Sequence, residues 1–109
     1  MHLDVEKYVS ENKNKVNKKY YPEIHLAAPV GWINDPNGFV YYKEQYHLFY
    51  QYHPYDTKWG PMHWGHAVSE DLVHWEYVGV ALVPDKAYDK DGCFSGSALV
   101  KDGKLYLMY

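Results

Sequence analysis

Over most of this chain apolar and polar residues alternate with a period of two, and the alternation predicts strands rather than helices. Residues 39–42 and 46–52 read as two strands joined by a short polar turn, Lys43-Glu44-Gln45. In the second strand Tyr46, Leu48, Tyr50 and Tyr52 fall on one face, and His47, Phe49 and Gln51 on the other. A loop rich in Pro, Asp and Gly (53–61) leads to a third strand at 63–69. The turn Glu70-Asp71-Leu72 then leads to a fourth at 74–82. Ahead of the strands, Leu3, Val5, Tyr8, Val9 and Val16 recur among Lys, Asn and Glu at a loosely helical spacing. Residues 1–19 are therefore expected to form a tail or a frayed, short amphipathic helix docked on something else. Pro22 and Pro29 bracket an extended segment, 21–30, that leads into the sheet.

The pattern then restarts. Displaced by 59 positions, Gly38-Phe39-Val40-Tyr41-Tyr42-Lys43-Glu44-Gln45-Tyr46-His47-Leu48-Phe49-Tyr50 matches Ser97-Ala98-Leu99-Val100-Lys101-Asp102-Gly103-Lys104-Leu105-Tyr106-Leu107-Met108-Tyr109 in pattern. Four strands followed by a restart is the signature of propeller blades. The same alignment sets Phe94-Ser95 opposite Asp35-Pro36, which predicts that both segments open their blades at the rim of one central channel. One and a half blades cannot close a ring. The expectation is that residues 20–109 are the N-terminal part of a propeller domain in a longer protein, and that the 109 residues alone fold poorly.

The chemistry concentrates in Trp32-Ile33-Asn34-Asp35-Pro36-Asn37-Gly38-Phe39. Locally this is turn chemistry: Asp35 suits the first position, Pro36 presets φ at the second, and Asn37-Gly38 close it. Pro36 also drives Asp35 to an extended backbone, presenting its carboxylate at the end of an extended segment. A solvated turn has no need of the indole of Trp32 or of the second amide at Asn34. A carboxylate between an aromatic wall and amide donors suits a sugar site.

Composition narrows the classes. Aromatic residues make up 18% of the chain, with 13 Tyr and 4 Trp, a surplus that suits strands and sugar-stacking surfaces. There is no arginine, the net charge is −3, and five lysines against three acids fall within residues 1–19. The remainder is acidic, so no basic stripe exists to meet nucleic-acid phosphates. No apolar run is long enough to span a membrane and residues 1–19 lack a signal-peptide core, so no membrane partner is expected. The single cysteine, Cys93, reads as a small buried hydrophobe. These absences lead to an expected reducing, cytoplasmic setting.

Other candidate chemistry fails on spacing. His63 and His66 lie three apart on a strand and point to opposite faces, so they cannot converge on one ion, and no other metal-ligand spacing exists. Ser95-Gly96-Ser97 lacks the Gly-x-Ser-x-Gly spacing and the strand-to-helix setting of a nucleophile elbow, and Gly-rich phosphate loops are absent. The acidic run Asp85, Asp89, Asp91 reads as a solvated loop between blades. Trp59, between Lys58 and Gly60 in a loop, is a candidate to face a sugar, whereas Trp64 and Trp75 are read within strands and assigned to the core.

Trp32-Ile33-Asn34-Asp35-Pro36-Asn37-Gly38, Phe49-Tyr50-Gln51-Tyr52, Trp59-Gly60-Pro61-Met62-His63-Trp64-Gly65-His66-Ala67 and Phe94-Ser95-Gly96-Ser97-Ala98 together resemble glycoside hydrolase family 32. That family includes invertases, levanases, inulinases and bacterial sucrose-6-phosphate hydrolases. The resemblance covers about residues 20–109, and 20–29 are similar to the lead-in of the sucrose-6-phosphate hydrolase branch. It implies an all-β, five-bladed propeller and retaining hydrolysis of β-fructofuranosides (sucrose, sucrose 6-phosphate or fructan), with no metal or other cofactor. It further implies that Asp35 is the nucleophile and that Asn34, Gln51, Trp59, Phe94 and Ser95 line the fructose subsite. Two motifs of the family are missing. The Arg-Asp-Pro motif is excluded by the lack of arginine, and Gly92, not Glu, precedes Cys93. The general acid and the transition-state stabiliser are therefore expected outside this chain, leaving it inactive alone. The alternatives are a related propeller glycosidase of the arabinanase or xylosidase type and a non-catalytic fructan-binding remnant.

Overall fold

The structure, a computed structural model, describes residues 2–109. Helix α1 (His2–Asn12) and a single 3-10 turn (Lys13–Lys15) precede six strands: β1 (Trp32–Tyr42), β2 (Gln45–His53), β3 (His63–Ser69), β4 (Glu76–Leu82), β5 (Ser97–Lys101) and β6 (Lys104–Met108). Strands β1 to β4 form one antiparallel sheet in sequential order, and β5–β6 form a second, two-stranded sheet. This meander followed by a restart is a propeller blade and the opening of the next.

The displacement by 59 holds in atomic detail. Tyr42 pairs with Gln45 and Lys101 with Lys104, Tyr41 with Tyr46 and Val100 with Leu105, Phe39 with Leu48 and Ala98 with Leu107. Both hairpins turn through two residues of positive φ, Lys43 and Glu44 in the first, Asp102 and Gly103 in the second. Such two-residue turns match the right-handed twist of the strands they join.

Side-chain alternation builds a core on each face of the first sheet. On one face Tyr50, Tyr52, Ala67 and Val80 are buried beneath α1, which inserts Val5 and Val9. Burying a valine of this kind is worth about 1.5–3 kcal/mol, enough to hold a short helix that would not persist alone. The predicted docked helix is therefore present, over His2–Asn12. Its Glu6 carboxylate accepts hydrogen bonds from the Val80 N–H and the Tyr77 hydroxyl, fastening it to β4. On the other face Phe49, Trp64 and Cys93 pack against Ala98, Leu105 and Leu107 of the hairpin. A Cβ on Gly38 would lie 2.5 Å from the Ala98 Cβ, so the absence of a side chain there lets β1 approach β5.

Two local expectations need correction. Residues 35–38, read locally as a turn, lie within β1, where Ile33 pairs with Tyr52, Pro36 with Tyr50 and Phe39 with Leu48. Two register shifts each place one extra residue on β1. Bulges accommodate a proline without a donor and re-aim side chains, which satisfies the turn-like residues inside a strand. Trp75 lies just before β4, not within it, and is half-buried; its indole N–H donates to the Leu72 carbonyl. Trp64 is fully buried within β3, as expected.

Candidate active site

The bulged start of β1 turns the side chains of Asn34 and Asp35 outward, and Asp35 becomes the centre of a hydrogen-bonded cluster. The Asn34 amide donates to Asp35 Oδ1 at 2.6 Å. The Asn37 amide donates to Oδ2 at 3.0 Å, and the Ser95 hydroxyl donates to the same oxygen at 3.1 Å. Behind Asn34, the Trp32 indole N–H donates to its side-chain oxygen at 2.8 Å. An indole N–H can only donate, so it fixes the Asn34 amide with the oxygen inward and the amino group on the carboxylate. Partial burial raises the Asp35 pKa, but hydrogen bonds from Asn34, Ser95, its own backbone and Asn37 outweigh it and hold the group below its ordinary value. The result is a carboxylate kept anionic by neutral donors.

Ser95 reaches Asp35 because the two residues before it, Cys93 and Phe94, are pinned to the first sheet and the loop leading into it. The Cys93 N–H donates to the Met62 carbonyl at 2.7 Å, Gln51 Nε2 donates to the Cys93 carbonyl at 3.1 Å, and the Trp64 indole N–H donates to the Phe94 carbonyl at 3.0 Å. The placing of Phe94-Ser95 opposite Asp35-Pro36 is thus realised as a direct contact 60 residues apart in sequence.

Of the expected site residues, the structure brings Asn34, Asp35, Gln51 and Ser95 into this one network. Phe94 is 62% exposed beside Ser95. Trp59, 60% exposed in the 53–61 loop, stands outside the hydrogen-bonded cluster. Asn37 was missed as a site residue although it lies two positions from Asp35, where an extended segment sets side chains on a common face. Trp32, read as a wall, also serves as a donor. His63 and His66 do diverge. His63 lies with His53 and Tyr55, and His66 hydrogen-bonds His47 at 2.9 Å and stacks on Phe49. Among the described residues no group of three or more His, Cys, Asp or Glu is arranged to hold a metal, and no helix is long and apolar enough to cross a membrane.

The site is thus an anionic carboxylate held by two amides and a hydroxyl where two propeller blades meet, beside the exposed ring of Phe94. The chain belongs to glycosyl hydrolase family 32: the model of that family's N-terminal domain matches residues 25–109. A sucrose-6-phosphate hydrolase of Escherichia coli is 56% identical over 90 residues, 83% of this chain and 19% of that protein. A levanase of Bacillus subtilis is 60% identical over 84 residues, 77% of this chain and 12% of that one. Among solved structures, a Bombyx mori β-fructofuranosidase superposes with a TM-score of 0.91 at 48% identity, covering 99% of this chain and 22% of that one. A sucrose-6-phosphate hydrolase from Lactobacillus gasseri gives 0.86 at 41% identity, covering 95% and 22%. The sheet and hairpin described above are the first blade and the opening of the second in the family's five-bladed propeller. The chain spans between 12% and 22% of the length of these relatives.

Proposed function

We propose that this chain is the N-terminal part of a cytoplasmic β-fructofuranosidase of sucrose metabolism, acting on sucrose or sucrose 6-phosphate, with Asp35 as its nucleophile. The observation that carries the reading is the Asp35 carboxylate, held ionised by Asn34, Asn37 and Ser95 and accessible at the meeting of two blades. A retaining glycosidase needs such a group to form the bond to the anomeric carbon while a second, protonated carboxyl group delivers a proton to the departing oxygen. Water then releases the sugar from the carboxylate ester. The cluster here contains one carboxylate, so the acid comes from a part of the parent beyond these 109 residues, which alone do not turn over. In this reading Asn34 and Ser95 meet ring hydroxyls, Trp59 and Phe94 cover a sugar face, and Gln51 forms the floor; the exposure of both rings and the bonds of Asn34 and Ser95 to Asp35 support it. A mutant of the Bombyx mori relative is known in complex with sucrose, which favours sucrose as the first substrate to try.

The test is Asp35→Asn in the full-length parent. Asparagine keeps the size and the strand geometry but cannot form a stable glycosyl ester. Turnover of sucrose and sucrose 6-phosphate should fall by several powers of ten, roughly 7 kcal/mol of activation free energy, while substrate binding falls far less. A folded Asp35→Asn protein with undiminished turnover would return Asp35 to a structural role. Location is checked separately, by fractionation: recovery of the parent outside the cell with residues 1–19 removed would refute the cytoplasmic assignment.

A further inference from the structure

We infer that Gln51 is a positioning residue for the Asp35 carboxylate, acting through Asn37, in addition to any contact it makes with a sugar. The inference rests on the reading of Asp35 as the nucleophile. Gln51 is 3% exposed in β2, and its Nε2 lies 2.7 Å from Asn37 Oδ1 and 3.1 Å from the Cys93 carbonyl oxygen. A peptide carbonyl can only accept, so the group facing Cys93 must be the amino end of the Gln51 amide. The second hydrogen of that amino group then goes to the Asn37 oxygen, and the Asn37 amino group is left to donate to Asp35 Oδ2. The orientation of one amide thereby dictates that of the next.

The origin of the chain is firmly held, because the Cys93 N–H is itself bonded to the Met62 carbonyl. The Cys93 thiol is pushed up to about 12, by burial first and by Asp89 and Asp85 next, and carries no charge at neutral pH. The groups that hydrogen-bond Asp35 from its own strand and from the 94–95 segment, Asn34, Asn37 and Ser95, are all neutral. Removal of the Gln51 donor leaves Asn37 free to turn over. Its oxygen would then face the carboxylate, and one of three side-chain donors would become a repulsive acceptor. Burial of Gln51 alone predicts only a packing loss; the relay predicts a change in the ionisation of a residue that Gln51 does not touch.

The experiment is a double-mutant cycle of Gln51→Met and Asn37→Ala in the full-length parent. It has two readouts: the 13C titration of the Asp35 carboxyl, assigned by difference from Asp35→Asn, and the acid limb of kcat/KM. Gln51→Met should raise both midpoints by about half a unit to one unit. In the Asn37→Ala background the same substitution should move neither by more than about 0.3 unit. Additive shifts, or an unmoved midpoint in folded Gln51→Met protein, would overturn the relay. Should Gln51→Met not fold, the isosteric Gln51→Glu replaces it. Its upward shift should then be at least roughly halved by Asn37→Ala, and an undiminished shift would count against the relay. The carboxyl titration needs no substrate. A parent that hydrolyses no fructoside but shows the coupled shift loses the proposed activity and keeps the relay; activity with additive shifts gives the reverse.

Discussion

The two hairpins, β1–β2 and β5–β6, share a pattern, a turn and a register, yet they differ sharply in burial. Phe49 and Tyr50 are 2% and 1% exposed, whereas Met108 and Tyr109, displaced from them by 59 positions, are each 48% exposed. The side chains are of similar kind, so the alternation of apolar residues did not decide burial. What differs is company. The first hairpin has β3 on its inner edge, α1 on one face and the second hairpin on the other; the second has the first hairpin on one face and no third strand among the described residues. Local sequence sets the shape of a blade, and neighbours set its stability.

Paired substitutions in the full-length parent test this contrast. The largest effect is expected at Trp64, fully buried in β3 and bonded to the Phe94 carbonyl: Trp64→Ala should cost about 3–5 kcal/mol by urea unfolding. Tyr106→Ala, in the half-exposed β6, should cost less than about 1.5 kcal/mol. Equal losses at the two positions would show that the second hairpin is as well buried in the parent as the first.

Acid should act on the first blade before the second. His63 and His66 are each pushed down to about 4, mainly by burial; for His63 a bond to the Pro61 carbonyl opposes this, and for His66 the neighbouring His47 adds to it. Both folded values lie below the unfolded one, so the unfolded chain takes up protons first. Stability present above about pH 6.5 is therefore lost as the pH falls through that value toward 4. After allowance for solvent screening at the half-exposed His66, the two together should cost on the order of 2–4 kcal/mol. Hydrogen exchange of the β2 and β3 amides at pH 7.5 and 4.5 would detect it. The hairpin of 97–109 holds no histidine and should respond less; equal responses would refute the assignment.

The smallest effect concerns the turns. Glu44 sits at φ 64° in the first hairpin where the second has Gly103 at 71°. Glu44→Gly should stabilise by a few tenths to about 1 kcal/mol, and Gly103→Glu should destabilise by a similar amount, both read as shifts in Tm.

Much of this was legible because it depends on short-range pattern. The strands, the two faces of β2, the displacement by 59 and the meeting of Asp35 with the 94–95 segment all follow from alternation and its repeat. The misreadings share a physical cause. Asp35-Pro36-Asn37-Gly38 has the local preferences of a turn, and only pairing with Tyr50 and Tyr52 across the sheet makes it a bulged strand. Asn37 was overlooked because its role depends on Gln51 and on Cys93, which lies 42 residues beyond Gln51. The clasp of Glu6 on Val80 joins residues 74 apart and has no signature in either segment.

That clasp bears on how the molecule avoids sticking to copies of itself. β4 is an edge strand, and an edge offers backbone amides to any extended chain that passes. The half-buried Glu6 carboxylate occupies the Val80 N–H and lies against Gly79, where a Cβ would come within 3.1 Å of it, so an acidic side chain stands where an intruding strand would have to dock. Helix α1 therefore guards the rim of the sheet as well as covering its face. A chain that lost the helix would expose a ready template for intermolecular pairing, and its failure would show first as aggregation.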